Sequence, residues 1–355
     1  MISLLNEEPR VAPKISIVIP VFNGGEDFRR CLESIQRWGD YSEVIVVADG
    51  DSDGSWQLAE SFGFTVIRLP ESRGPANARN VGAEAASADI LFFIDADVEI
   101  HPTTLSRALY AFRRRPDIAA LIGSYDDAPG ARNFLSQYKN LFHHYTHQEA
   151  KEEASTFWGA CGAIRKDIFL EMGGFNDGYR APCVEDIELG YRLRQAGYKI
   201  RLCKCVQVKH LKHWTAYSLL RAEVFYRALP WMALLLKIRN SDPQQYRSFS
   251  SDLNLKWSSR ISVVLVYSLS LFVLVAFWWL PSLWLAGLCA VVLTAINWPV
   301  YRFFHRKRGA LFSLRVLPWH WLYYFYSGLA FVVGTLRHQI RRYWFRRSIS
   351  AGRPA

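Results

Sequence analysis

Between residues 261 and 300 the chain runs for forty positions without one charged side chain. A helix needs about 20 apolar residues to cross a bilayer, and Pro281-Ser282 divides the run into two pieces of about that length. The pattern predicts a helical hairpin, residues 261–280 and 283–300. Trp278, Trp279 and Trp284 flank its turn as an interfacial aromatic belt would. A hairpin buried in a soluble protein is the competing reading, and so long an uncharged stretch weighs against it. A third apolar run, 316–336, is long enough to span but contains Pro318, His320 and five Trp or Tyr residues. Cytoplasmic loops carry the excess of Lys and Arg, which puts 302–315 in the cytoplasm. The same rule puts 337–347 there too, and a third crossing cannot satisfy both. The topology after residue 315 stays open between a span and a re-entrant or interfacial segment.

Charge divides the chain in the same place. No Asp or Glu follows Asp252, and the last 55 residues hold eleven Arg or Lys. The formal net charge is +11, from 43 basic and 32 acidic residues, so the tail accounts for all of it. Beside long apolar runs, such a tail reads as a partner of anionic lipid headgroups rather than of nucleic acid. Residues 217–239 mix leucines and aromatics with Arg221, Arg227, Lys237 and Arg239. They read equally as an amphipathic interfacial segment or as a helix packed on a soluble domain. The six cysteines form no disulfide or zinc framework, and residues 1–14 lack the apolar core of a signal peptide. A cytoplasmic first domain at a multi-pass membrane anchor is expected. The predicted divisions are a catalytic domain at 1–215, an interfacial segment at 216–260, membrane helices at 261–340 and a basic tail at 341–355.

The first 215 residues alternate apolar strand-length runs with helical patterns. Strands are predicted at 15–21, 43–47, 65–69, 90–94 and 118–122, with helices after Glu26, Ser55, Pro75 and His101. This rhythm implies an α/β fold, a doubly wound and mostly parallel sheet covered on both faces. Ligands of such sheets sit at the carboxyl ends of the strands. Polar residues fall there: Asn23 after the first strand, Asp49 at the second, Asp95 and Asp97 after the fourth. No GxGxxG follows the first strand, which argues against a dinucleotide-binding dehydrogenase.

Two carboxylates two residues apart at a strand end suit a hard divalent cation, Mg²⁺ or Mn²⁺, that neutralises a diphosphate. A helix cap is the bland alternative for Asp95 and Asp97. Asp49 could accept from a base or ribose, or serve only the turn around it. Arg79 could reach phosphate or be an ordinary surface arginine. Glu185-Asp186 opens the helical pattern 187–196 and follows a glycine-rich stretch, so a carboxylate there could act as general base.

Six segments in order, IVIPVFN, VVADGDSDGS, RGPANARNVG, FFIDADV, WGACGAIRKDIFLEMGGF and EDIELGYRLRQAGYKI, resemble the family 2 glycosyltransferases. These are inverting enzymes of the GT-A fold, here of a membrane-anchored bacterial type. The resemblance covers residues 15 to 215. It implies that Pro20, Asn23 and Asp49 border the nucleotide, and that Asp95 and Asp97 hold the metal and diphosphate. Asp186 is the implied base and His210 a further metal contact. Gly159, Ala160, Cys161 and Glu185 are implied on the acceptor side, with Trp214 stacking on the acceptor. Two departures stand out. Ala48 occupies the first position of an acidic pair common in the family, and His210-Leu-Lys-His213-Trp214 replaces the QxxRW of processive synthases. The expected activity is transfer of one sugar from a UDP- or GDP-type donor to a lipid or lipid-linked acceptor. A polyprenyl-phosphate acceptor, a nucleotidyltransferase and a catalytically silent membrane scaffold are the alternatives.

Overall fold

The computed structural model describes residues 14–39, 41–241 and 257–350, with side chains to residue 340. Residues 1–13 of the leader expectation, residues 242–256 of the predicted interfacial segment and all side chains of the basic tail fall outside the described residues. The chain forms two compact units. One holds Met1–Tyr125, Lys151–Arg180 and Glu185–Leu211, the other Asp126–Ala150, Ala181–Val184 and Lys212–Ala355.

In the first unit β1 (Ile15–Val21), β2 (Glu43–Asp49), β3 (Thr65–Leu69), β4 (Ile90–Ile94) and β6 (Ile118–Tyr125) begin at the predicted residues. β1, β2, β4 and β6 are buried almost end to end, as strands covered on both faces must be. Their helices are α1 (Gly25–Trp38), α2 (Ser55–Ser61), α3 (Pro75–Ala85) and α4 (Thr104–Arg114). In α1, Phe28, Cys31, Leu32 and Ile35 recur at helical spacing and are buried. Glu26 and Asp27 open that helix and Arg37 closes it, complementing its dipole.

The strands missing from the sequence reading complete a nine-stranded mixed sheet. They are β5 (Val98–Ile100), β7 (Glu153–Ala154), β8 (Cys161–Arg165) and β9 (Lys199–His210). The order is β3-β2-β1-β4-β8-β6-β9-β5, with β7 paired to β9. β3, β2, β1 and β4 run parallel, and β6 runs parallel to β9. β8 is inserted antiparallel between β4 and β6, and β5 and β7 are antiparallel to β9. β8 brings the turn before it, Trp158-Gly159-Ala160, to the carboxyl end of β4, because Ile94 pairs with Cys161. Phe93 anchors this arrangement, with Phe175, Phe169 and Phe157 ring centroids 5.2, 5.3 and 6.2 Å away.

The second unit is helical. It contains α5 (Phe134–Glu149), α8 (Ala216–Arg221), a π-helical turn (Ala222–Ala228) and α9 (Leu229–Ser241). After the undescribed stretch come α10 (Trp257–Val275), α11 (Ser282–Ile296), α12 (Trp298–Arg308) and α13 (Ala310–Ser350). The helices α6 (Lys166–Glu171) and α7 (Glu185–Gln195) belong to the first unit. Tyr138 and Leu141 of α5 share a core with Val300, Tyr301, Phe304 and Val316. A buried polar cluster also sits here: Glu223 takes Lys139 Nζ at 2.7 Å, Arg227 Nη1 at 2.8 Å and the Tyr326 hydroxyl at 2.8 Å.

The hairpin is shorter than its sequence suggests. Among the described residues one helix, α10, is long and apolar enough to cross a membrane, and only 11% of its apolar window is buried. At about 1.5 Å per residue, the 15 residues of α11 fall short of a bilayer core of about 30 Å. α11 passes the same test only together with α12, across a 67° bend. The expected third span, 316–336, lies inside the long α13, which does not pass it. The multi-pass expectation is therefore reduced to one such helix, or two if the bent pair counts as one.

Candidate active site

Two loops at the carboxyl ends of β1 and β2 are tied to each other. Asn23, in a left-handed conformation (φ 52°), accepts from the Ser52 backbone at 2.8 Å. Asp53 accepts from the Gly25 amide at 3.1 Å and the Ser55 hydroxyl at 2.6 Å. Burial opposes ionisation of Asp53, but these hydrogen bonds outweigh it and hold its carboxyl below the usual range. Pro20 lies beyond the last rung between β1 and β4, where its missing N–H costs that ladder nothing.

Asp49, at the end of β2, is buried. Its two oxygens accept from the Ser72 hydroxyl (2.8 Å) and the Arg73 and Gly74 amides (both 2.9 Å). This carboxylate thus secures the loop into α3, and at least three of its roughly four acceptor sites are used. Gly74 sits at φ 94° with its α-carbon against the Arg180 carbonyl, leaving no room for a side chain.

Arg79 is fully enclosed rather than a surface residue. Its guanidinium donates to Asp95 at 2.6 Å and to Glu185 at 3.1 Å, and it lies 5.5 Å from the Phe175 ring centroid. Burial alone would favour losing its proton, but Asp95 and Glu185 more than offset that and raise its affinity for the proton. One cation therefore joins the carboxyl end of β4 to the start of α7.

Asp186, the next residue along α7, accepts from the Gly159 amide at 3.1 Å and the Ile187 amide at 2.7 Å. Burial and the neighbouring Glu185 charge push its carboxyl up to about 7, against the opposing pull of those amides and Arg79. A carboxyl poised there suits proton abstraction at neutral pH. Gly159 also packs directly against the Arg79 guanidinium. Ala160 and Cys161 are buried, and burial pushes the Cys161 thiol well up, away from reactivity.

Asp97 lies just before β5. Its Oδ2 is 3.7 Å from Nε2 of His210, which β9 brings opposite through the Val98–His210 rung. The His210 ring stacks on Tyr125 at 4.3 Å, and Tyr125 meets Trp158 edge-on at 4.8 Å. A carboxylate and an imidazole at this spacing fit a borderline divalent cation such as Mn²⁺. No three His, Cys, Asp or Glu among the described residues gather into a complete metal cage. A cation held by this pair alone would keep positions for diphosphate oxygens and water, as cations bound with a phosphate substrate do.

The structure thus joins Asp95, Arg79 and Glu185 directly, sets Asp186 on Gly159, and pairs Asp97 with His210. Trp214 belongs to the second unit, where it is buried and its amide donates to Ser136 at 2.7 Å. Sequence reasoning overlooked Asn80, whose side chain bonds both the N–H and the C=O of Phe175 at 2.8 Å. It also overlooked Arg192, which donates to the carbonyls of Met172 and Gly174. Together they clamp the turn under Arg79. An asparagine inside α3, where it forms helix poorly, was the available signal.

Comparison with known proteins follows the same outline. The model of Glycosyl transferase family 2 matches residues 16–173, and that of the N-terminal domain of galactosyltransferase matches 139–214. Over 96 residues the chain is 38% identical to the uncharacterized glycosyltransferase YibD of Escherichia coli, covering 25% of this chain but only 28% of that protein. It is 26% identical over 282 residues to glycosyltransferase AglE of Haloferax volcanii, covering 75% of this chain and 81% of that one. The mannosyltransferase PcManGT from Pyrobaculum calidifontis, solved with GDP-Man and Mn²⁺, superposes with a TM-score of 0.57 at 17% identity. That superposition covers 91% of this chain and 88% of the other. At this identity the likeness speaks for the fold, a GT-A type α/β domain followed by helices.

Proposed function

We propose, on the match of residues 16–173 to the model of Glycosyl transferase family 2, that the chain transfers a single sugar from a nucleoside-diphosphate sugar to a lipid or lipid-linked acceptor. The observation that carries this reading is the Asp95–Arg79–Glu185 bridge. It puts the strand end suited to a diphosphate within one ion-pair network of the residue preceding a near-neutral carboxyl.

In this reading Asn23 and Asp49 shape the nucleotide end of the cleft through the loops they hold. Asp97 and His210 would hold a divalent cation, with Asp95 beside them. When bound, the cation supplies positive charge to the departing diphosphate. Asp186 removes the acceptor hydroxyl proton as that oxygen attacks the anomeric carbon and the bond to the diphosphate breaks. The electron pair leaves with the nucleoside diphosphate, and an α-linked donor yields a β-linked product. The Gly159 amide orients the Asp186 carboxylate for this transfer. The complex of PcManGT with GDP-Man and Mn²⁺ supports a donor and cation of this class.

The exposed apolar length of α10 supports membrane anchoring and hence a lipid-phase acceptor, with the first unit on the cytoplasmic side where nucleotide sugars are made. A polyprenyl-phosphate acceptor carries an already ionised oxygen and would relieve Asp186 of its task. Detergent-solubilised full chain, given a panel of nucleotide sugars and membrane lipid extract, should release UDP or GDP and form a glycolipid. Release of pyrophosphate instead would identify a nucleotidyltransferase and overturn the reading.

A further inference from the structure

Asn297 builds a bend into the second unit. Its side-chain amide donates to Ser262 Oγ at 2.8 Å and Leu293 O at 2.9 Å, while its oxygen accepts from the Tyr324 hydroxyl at 2.7 Å. The chain turns there by 67° from the apolar α11 into the basic α12. Val300, Tyr301 and Phe304 bury one face of α12. The other face exposes Trp298 (58%), then Arg302 and Arg306 one and two turns further on.

Past Gly309, the first turns of α13 expose Leu311 (73%) and Leu314 (61%) beside Arg315. The acidic Asp127 is committed to Lys307, at 2.5 Å, and its carbonyl to Arg308, at 2.9 Å. Arg302 and Arg306 make no ion pair among the described residues, and no acidic residue exists after Asp252 to offer one. Arg315 lies over the Phe134 ring at 4.3 Å.

We infer that this face, Trp298, Leu311 and Leu314 with Arg302, Arg306 and Arg315, docks on the headgroup layer of a leaflet rich in anionic phospholipid. Exposed apolar side chains mixed with unpaired cations suit an interface where hydrocarbon and phosphate lie within a side chain's reach. The face continues from helices that are themselves exposed and apolar, and the bend at Asn297 turns the chain away from their direction. The inference rests on the membrane reading of α10, and the experiment separates the two.

Full-length protein is reconstituted in phosphatidylcholine bilayers doped with spin-labelled phosphatidylglycerol or phosphatidylcholine, and the motionally restricted fraction of each is measured. Wild type should retain the anionic label at least about threefold over the zwitterionic one at low salt. The preference should fall toward one in Arg302→Gln/Arg306→Gln/Arg315→Gln and in 0.5 M salt, as expected at a Debye length of roughly 4 Å. Circular dichroism checks that the triple variant folds. A wild-type ratio of one overturns the inference. So does a preference that survives the triple variant and disappears only when Arg341, Arg342, Arg346 and Arg347 are replaced. Loss of the chain from membranes at alkaline carbonate pH would instead refute the membrane reading.

Discussion

The proposed mechanism places its base at Asp186, a carboxyl whose affinity for the proton is raised by burial and by Glu185. Replacing it with Asn keeps the shape and removes the base. Turnover should fall at least about a hundredfold while the donor KM stays near wild type, measured by nucleoside diphosphate release. Retained turnover on a polyprenyl phosphate would favour that acceptor. A base acts in its ionised form, so under the proposed mechanism kcat/KM should rise with pH through about 7. Glu185→Gln removes the like charge and should move that limb to lower pH. For stability the sign is opposite. A carboxyl raised in the folded state stabilises when protonated, and that contribution is lost as pH climbs from the ordinary carboxylate range through 7. The Asn variant should therefore gain in melting temperature over wild type as pH increases from 5 to 8. The candidate site's carboxylates could be picked out in the sequence because acidic residues after buried strands stand out. Their partners were not: nothing in ARNVG says that Arg79 is buried against Asp95 and Glu185, or that Asn80 clamps Phe175. Asn80→Ala would strip both backbone groups of Phe175 and should cost about 1–3 kcal/mol by chemical denaturation.

Among the elements, the long buried strands were legible from their apolar runs, since β1 and β4 are covered on both faces and tolerate nothing else. β8 was not: Cys-Gly-Ala-Ile-Arg carries little strand signal, and only its place between β4 and β6 makes it one. β9 hid because charged residues interrupt it and the register with β6 shifts at two points. β5 and β7, at three and two residues, are too short to show any period. Phe93 is the hinge of this packing. Phe93→Ala should destabilise the first unit by about 3–5 kcal/mol, read as a lower melting temperature, and should weaken activity by loosening the turn beneath Arg79. In the second unit, Lys139 and Arg227 hold the buried Glu223 ionised and its carboxyl down at about 2, against the cost of burial. That stabilisation is present above the ordinary Glu range and fades as pH falls through 2.

For the whole molecule, charge and hydropathy divided the sequence near residue 252, whereas the fold divides it elsewhere. The chain changes unit after Tyr125, Ala150, Arg180, Val184 and Leu211. That lacing is invisible to composition, because α5 reads as one more amphipathic helix among several. Stripping divalent cations with EDTA should abolish transfer, and Mn²⁺ or Mg²⁺ should restore it. Activity untouched by chelation would remove Asp97 and His210 from the proposed cation site.

The placement of α5 bears on how this protein can be handled. A fragment trimmed to residues 1–215 keeps α5 but loses Val300, Tyr301, Phe304 and Val316, the side chains that cover its oily stripe. Size-exclusion chromatography of such a fragment should give aggregate rather than a monodisperse peak. Catalysis in solution would then need the helical half kept on, or that stripe rewritten with polar residues.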